Sequence, residues 1–249
     1  MNAFSGTFMN KDKTKKLRSL LAYYSSESTM ATEFRRIFAN IRVHNSGKEV
    51  KTLLITSSTL GEGKSTIASL LAVTVAQRYN RKVLLLDADL RRATIHHHFC
   101  LNRTQGLTEL LEGESQLRDI IKASDLENLK IITAGRHTDK PAELLDEPRF
   151  KQLIDELRFY HDLLIIDSAP VVPVSDAIIL GQQADGVVLV VKAGKTQREV
   201  VKRACELLQG SNFRVIGVIM NNMKEMLPYY YNYKYYGYEN DSPDKKQKQ

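Results

Sequence analysis

The sequence predicts an α/β fold, a mostly parallel β-sheet flanked by helices on both faces, and three observations predict it. Six apolar runs rich in branched residues read as buried strands. Amphipathic segments of helix length lie between them, and strand and helix alternate through the middle of the chain. Crossovers between parallel strands are expected to be right-handed. In such sheets ligands bind beyond the carboxyl ends of the strands, so the chemistry is expected just after the apolar runs.

The first element is a helix over 28–44. The run "TLLITS" (52–57) is the first strand, apolar without alternation, as a strand covered on both faces must be. A helix over 64–79 leads to the strand "KVLLLDAD" (82–89), and a helix over 107–122 leads to "LKIITAG" (129–135). A helix over 148–160 precedes "DLLIIDSAP" (162–170). Ser175 and Asp176 open the next helix, with Asp176 read as a cap or as a switch residue. The strand "GVVLVVKAG" (186–194), a helix over 196–210 and the strand "FRVIGVIMNN" (213–222) complete the set. No internal repeat and no long linker interrupts the series. One domain over 28–226 is expected, between a basic, flexible segment 1–27 and a flexible tyrosine-rich tail 227–249.

Composition narrows the class. With 249 residues, 43% of them hydrophobic, the chain has material for a sizeable core. No apolar run reaches the roughly 18 residues that span a bilayer. The N-terminus lacks the apolar core of a signal peptide. Cys100 and Cys205 are far apart and form no metal-ligand cluster; Cys205 falls in a helical apolar pattern and reads as a buried thiol. A reducing cytoplasm is the simplest compartment. The net charge of +7 resides partly in "KDKTKKLR" (11–18) and in "KKQKQ" at the end; short basic ends are usually solvated, and the charge alone selects no partner.

Three motifs follow three strands. "SSTLGEGKST" (57–66) fits the phosphate-binding pattern G-x-x-x-x-G-K-[ST], with Ser58 at the first glycine position. Gly61, Glu62 and Gly63 form the turn that lets backbone N–H groups face inward, and the following helix offers its positive end. Lys64 is placed to reach β- and γ-phosphates, Ser65 to ligate Mg²⁺, and Thr66 to meet the α-phosphate. "LLLDADLR" (84–91) brings Asp87 and Asp89 out of a strand at i, i+2; unpaired buried carboxylates are costly, and a cation or a substrate proton would explain them. The plainer reading is that Asp89 caps the helix after its strand. "LLIIDSAP" (163–170) ends an apolar strand in Asp167, the usual acidic partner of a P-loop. Together they describe a P-loop NTPase fold: Lys64 for phosphate charge, Ser65, Asp87 and Asp167 for Mg²⁺, and Asp87 and Asp89 on the acceptor side. Arg91 and Arg92 assist phosphate binding or pair with acids. His96, His97 and His98 are adjacent, point in different directions and do not suit one metal.

The combination of "GEGKST", "DADLRR", "GLTELL" (106–111), "PAELL" (141–145) and "DSAPV" (167–171) with a tyrosine-crowded end resembles the bacterial protein-tyrosine kinases that regulate capsular and exopolysaccharide synthesis. The resemblance runs from residue 28 to the end. It implies ATP and Mg²⁺ as cofactors and places Arg91 near the nucleotide. In related ATPases the position of Asn221 and Asn222 meets adenine; a turn role fits them equally. The tail tyrosines Tyr229, Tyr230, Tyr231, Tyr233, Tyr235, Tyr236 and Tyr238 become the expected substrate, phosphorylated by a neighbouring subunit. A transmembrane polysaccharide co-polymerase as activator, a homo-oligomer, and a cognate phosphotyrosine phosphatase are the implied partners. No nucleic acid is expected. The kinase would be cytoplasmic and recruited to the inner face of the membrane through its partner.

The chain departs from the family pattern at three places. Leu60 and Ala93 stand where prolines are common. In the first helix the ring-assembly pattern E-x-x-R-x-x-R reads Thr32, Arg35, Phe38 in one frame and Glu33, Arg36, Ala39 in another. The alternative to a kinase is a switch ATPase of the septum-positioning or partition type. Those carry a lysine five residues before the invariant one; this chain has Thr59 there.

Overall fold

The computed structural model describes residues 19–43, 49–211 and 213–222. The tail tyrosines and the basic run 11–18 lie outside the described residues. In chain order the elements are α1 (Thr29–Val43), β1 (Thr52–Ser57), α2 (Lys64–Arg78), β2 (Val83–Asp87), α3 (Ile95–His98), α4 (Leu107–Leu111), α5 (Leu117–Ile120), β3 (Ile121–Ala123), β4 (Leu129–Ile132), α6 (Pro141–Asp146), α7 (Pro148–Tyr160), β5 (Leu163–Asp167), α8 (Asp176–Gly181), β6 (Gly186–Lys192), α9 (Arg198–Gln209) and β7 (Val215–Asn221). One sheet runs β3-β4-β2-β5-β1-β6-β7. Its neighbours are parallel except β3 and β4, where the short edge strand is antiparallel.

Each face of the sheet carries its own core. Leu54, Leu84, Leu86, Leu164 and Ile166 pack under α7, α8 and α9; Leu53, Ile55, Leu85, Ile165 and Val188 pack under α2. The central strands β1, β2 and β5 are buried at every position because helices cover both sides. Helix α2 is buried along most of its length, since α1 lies over its outer side with Phe34, Phe38 and Ile41 at i, i+4 and i+7. On the other face α7 presents Phe150, Leu153, Ile154 and Leu157 at helical spacing.

Three details differ from the sequence reading. The expected helix over 107–122 is two short helices with a strand after them. Gly113 takes φ +83 and stops α4, and a Cβ there would come within 2.9 Å of the Arg149 guanidinium. The fold also begins earlier than residue 28: a 3-10 turn over Leu20–Tyr23 puts Leu20, Leu21 and Tyr24 against the α2 core, and the Tyr24 hydroxyl lies 2.8 Å from Thr74 Oγ1. Cys205 is half-buried rather than buried, because α9 leaves a groove of about 910 Å³ between itself and β7.

Candidate active site

The strand alternation that builds the core also aims the acids. Val83 and Leu85 of β2, and Leu163 and Ile165 of β5, face the α2 side. Two residues further on, Asp87 and Asp167 face that side too, and the sheet register pairs them directly. β1 lies next to β5, so the loop that leaves Ser57 crosses the tips of these strands and enters α2 at Lys64. Gly61 and Gly63 adopt φ +76 and +93, which lets the loop turn its backbone inward. At Gly63 space is also short, since a Cβ would run into the Asn221 side-chain amide.

Lys64 Nζ lies 2.8 Å from Asp89 Oδ2 and 3.8 Å from Asp167 Oδ1, and donates to Ser65 Oγ at 3.1 Å. All three aspartates are buried. Asp87 Oδ2 accepts from the Ile95 N–H at 3.1 Å, and Asp89 Oδ1 from the Arg92 N–H at 2.9 Å, so Asp89 does fold the turn after it. Asp87 Oδ1, both Asp167 carboxylate oxygens and Ser58 Oγ have no hydrogen-bond donor, and Asp89 Oδ2 has only the lysine ammonium beside it.

Burial raises the pKa of Asp87, and the Asp167 charge adds to it; burial also raises Asp167, against the pull of Lys64. Burial alone would lower Lys64, but Asp167, Asp89 and Asp87 outweigh it and hold the ammonium protonated. Three carboxylates thus share one cation. The Asp167 oxygens, which have only the neighbouring Ser65 hydroxyl and the Lys64 ammonium near them, and that hydroxyl itself are hard donors of the kind Mg²⁺ takes. Among the described residues no group of three or more His, Cys, Asp or Glu could hold a metal. A divalent ion here must therefore complete its shell with phosphate and water oxygens.

The other predicted residues divide. Ser58 and Ser65 are buried in the loop, and Thr66 is exposed on the first turn of α2. Glu62 is buried, and its carboxylate is taken up by the protein itself. It accepts from the Thr59 N–H at 2.7 Å, the Lys192 N–H at 3.4 Å and the Thr196 hydroxyl. Its contribution is to tie the loop to the end of β6. Asn221 donates from Nδ2 to the Glu62 carbonyl at 2.9 Å, so the end of β7 is tied to the same loop. Arg91 does not reach the P-loop: it forks onto Asp176, Nε to Oδ2 at 2.8 Å and Nη2 to Oδ1 at 3.1 Å. Asp176, fully buried at the start of α8, is neither a bare cap nor free; it anchors the turn that carries Asp89.

Thr196 was not found in the sequence, because its partner Glu62 is 134 positions away and a lone threonine carries no pattern. Of the three histidines, His96 and His97 lie ring against ring with centroids 3.9 Å apart, against the expectation that neighbours diverge, and only His98 turns elsewhere, its Nδ1 2.9 Å from Ser69 Oγ. In α1, Phe38 is core and packs edge-on to Tyr79 at 4.9 Å, and Arg35 bonds to Ser26 and Thr32 of its own segment. Of the frame Thr32, Arg35, Phe38, only Phe38 is buried, while Thr32 and Arg35 are half-buried. Arg36 and Glu33 form an exposed ion pair at 2.6 Å.

Comparison with known proteins identifies the family. Residues 49–248 match the ParA family, described as NUBPL iron-transfer P-loop NTPase. The chain is 40% identical over 220 residues to tyrosine-protein kinase YwqD of Bacillus subtilis, spanning 88% of this chain and 92% of that protein. It is 38% identical over 205 residues to tyrosine-protein kinase CpsD of Streptococcus agalactiae, spanning 82% and 88%. The solved kinase domain of Escherichia coli tyrosine kinase ETK superposes with a TM-score of 0.77 at 29% identity, covering 84% of each chain. The chain belongs to the ParA-type P-loop NTPases and, within them, to the bacterial protein-tyrosine kinases.

Proposed function

We propose that this protein-tyrosine kinase uses ATP and Mg²⁺ to phosphorylate its own C-terminal tyrosines, subunit to subunit, and thereby regulates capsular or extracellular polysaccharide synthesis and export. The observation that supports this best is the gathering of Asp87, Asp89 and Asp167 around Lys64, with acid oxygens left for a cation and for a proton. Lys64 and the inward N–H groups of the loop offset phosphate charge. Ser65 and Asp167 would hold Mg²⁺, which would supply positive charge against the phosphates.

Of the two roles open to Asp87, metal ligand and proton acceptor, we assign proton acceptor: its Oδ1 is free and its raised pKa suits a base better than an ordinary carboxylate. The phenol gives its proton to Asp87 as its oxygen bonds to the γ-phosphorus. The bond to the bridging oxygen breaks, and ADP leaves with that electron pair. Asp89 holds Lys64 in place, and Arg91 with Asp176 holds the turn of Asp89. No helix among the described residues is long and apolar enough to cross a membrane. A separate transmembrane co-polymerase is the activator we assign, and a phosphotyrosine phosphatase would reset the tail.

The test is incubation with labelled ATP and Mg²⁺, with and without a peptide from the activator. Phosphotyrosine confined to 229–238, and lost on Lys64→Met, is the expected result. A Lys64→Met chain mixed with an active chain whose seven tail tyrosines are phenylalanine should become labelled if transfer is between subunits. Label that stays off the mixed chain overturns the transfer between subunits. Free phosphate with no labelled protein indicates the switch ATPase instead.

A further inference from the structure

The β7 edge of the sheet lacks a full cover. β7 is the last strand, with β6 on one side of it, and α9 sends Ala204 and Leu208 into the core that also holds Leu189 and Val191 of β6. Between α9 and β7 lies the groove of about 910 Å³, floored by Val191, Val201, Cys205, Val218 and Met220. Val218 and Met220, at i, i+2 on one face of β7, are 49% and 57% exposed, whereas β6 beside them is buried along nearly its whole length. Apolar side chains grouped on an edge strand in this way mark a surface that another segment covers.

Charge does not choose the cover. Lys192, Arg198 and Lys202 stand along the groove together with Glu199, so both signs are present and no polyanion is singled out. Chain continuity does choose. The described residues end at the mouth of the groove: Asn222 takes φ +68, which turns the backbone out of the strand, and its Nδ2 donates at 3.4 Å to the carbonyl of Ala193, a groove residue. The sequence continues Met223-Lys224-Glu225-Met226-Leu227, three large apolar side chains in five positions, with a lysine and a glutamate that cancel; these five lie outside the described residues. Five residues span up to about 17 Å when extended. Helix α9, of 12 residues, is about 18 Å long, so the segment can reach nearly the whole groove without moving β7. A segment tethered at the mouth acts at an effective concentration that a free partner rarely matches, and methionine adapts well to an irregular apolar floor.

We propose that Met223, Met226 and Leu227 of the same chain seat in the groove between α9 and β7 and strap the root of the tail to the folded domain. The strap ends just ahead of Tyr229. It also adjoins the turn from which the Lys192 N–H and the Thr196 hydroxyl, both of groove residues, hold Glu62 of the phosphate loop. On the kinase reading above, the strap sets how much free chain can travel to a neighbouring subunit; the docking itself does not rest on that reading.

Cys205 is a built-in probe, since its side chain lines the groove and Cys100 is the chain's other cysteine. In the full chain with Cys100→Ser, without nucleotide, the rate at which a maleimide labels Cys205 is compared with that of the same chain carrying Met223→Ser, Met226→Ser and Leu227→Ser. The opened groove should react about 10-fold faster, because access limits a shielded thiol. Val218→Ser with Met220→Ser, both on the exposed face of β7, should speed labelling by a similar factor, and joining the two sets should add little, as expected of groups in contact. Protection should persist on dilution, as it must for a segment of the same chain. Equal labelling of the tail variant and its parent overturns the proposal. So do tail and floor effects that simply multiply, or protection that fades on dilution, which assigns the groove to a second copy. The rates are read without ATP, so their failure leaves the kinase reading standing, and a tail that takes no phosphate leaves the rates unchanged.

Discussion

Asp87 shows at the scale of one residue what burial costs and what it supplies. Its pKa in the folded chain is raised above that of the unfolded chain. The stability tied to its proton is whole below the ordinary carboxylate range and drains away as pH climbs through the raised value. Asp87→Asn should therefore melt about 5 °C above the parent near pH 8, and the two should converge near pH 4, in thermal melts without nucleotide. The same substitution should remove phosphotyrosine formation, so stability and activity move in opposite directions. Lys64→Met should lower transfer by about 100-fold or more in the labelled-ATP assay, the usual cost of deleting one charge aimed at the reacting group. The identities of these residues were readable in the sequence because each follows a strand and belongs to a short pattern. The destination of Arg91 was not, since a guanidinium beside a phosphate loop and one forked onto a distant acid look the same in one dimension.

At the scale of elements, the turn after β2 is fastened by the Arg91–Asp176 pair and the phosphate loop by Glu62. Arg91→Met leaves Asp176 buried without a partner and should cost about 2 kcal/mol, discounted because the arginine is partly in water; Arg91→Met with Asp176→Asn should restore most of it. Denaturant melts of the four members of that cycle decide the matter. Glu62→Ala should cost about 2 kcal/mol and weaken nucleotide binding together, because it frees the loop from β6. The strands were legible from uniform apolar runs, and their ends fell within a few residues of the expected ones. The stretch 107–122 was not: its apolar spacing is helical throughout, and only the backbone conformation of Gly113 breaks it. The edge strand β3 is three residues long and too short to show any period.

At the scale of the molecule, the sheet order explains why distant motifs form one site. β1 sits between β5 and β6, so segments at 58–65, 87–89 and 167 meet at one rim although each belongs to a different part of the chain. That meeting was predictable as a class, from alternation and the rule that ligands gather beyond strand ends. The attachment of β7 to the loop was hidden, because Asn221 and Glu62 share no motif. It has a mechanical outcome. Asn221 is clasped to the loop one residue before the described chain ends, so the tyrosine-bearing extension is leashed to the very turn that cradles phosphate. A leash carries tension both ways. Occupying the cradle should change how fast a protease clips the extension, and seizing the extension should change how long nucleotide stays; Asn221→Ala should cut the leash and leave the two events deaf to each other.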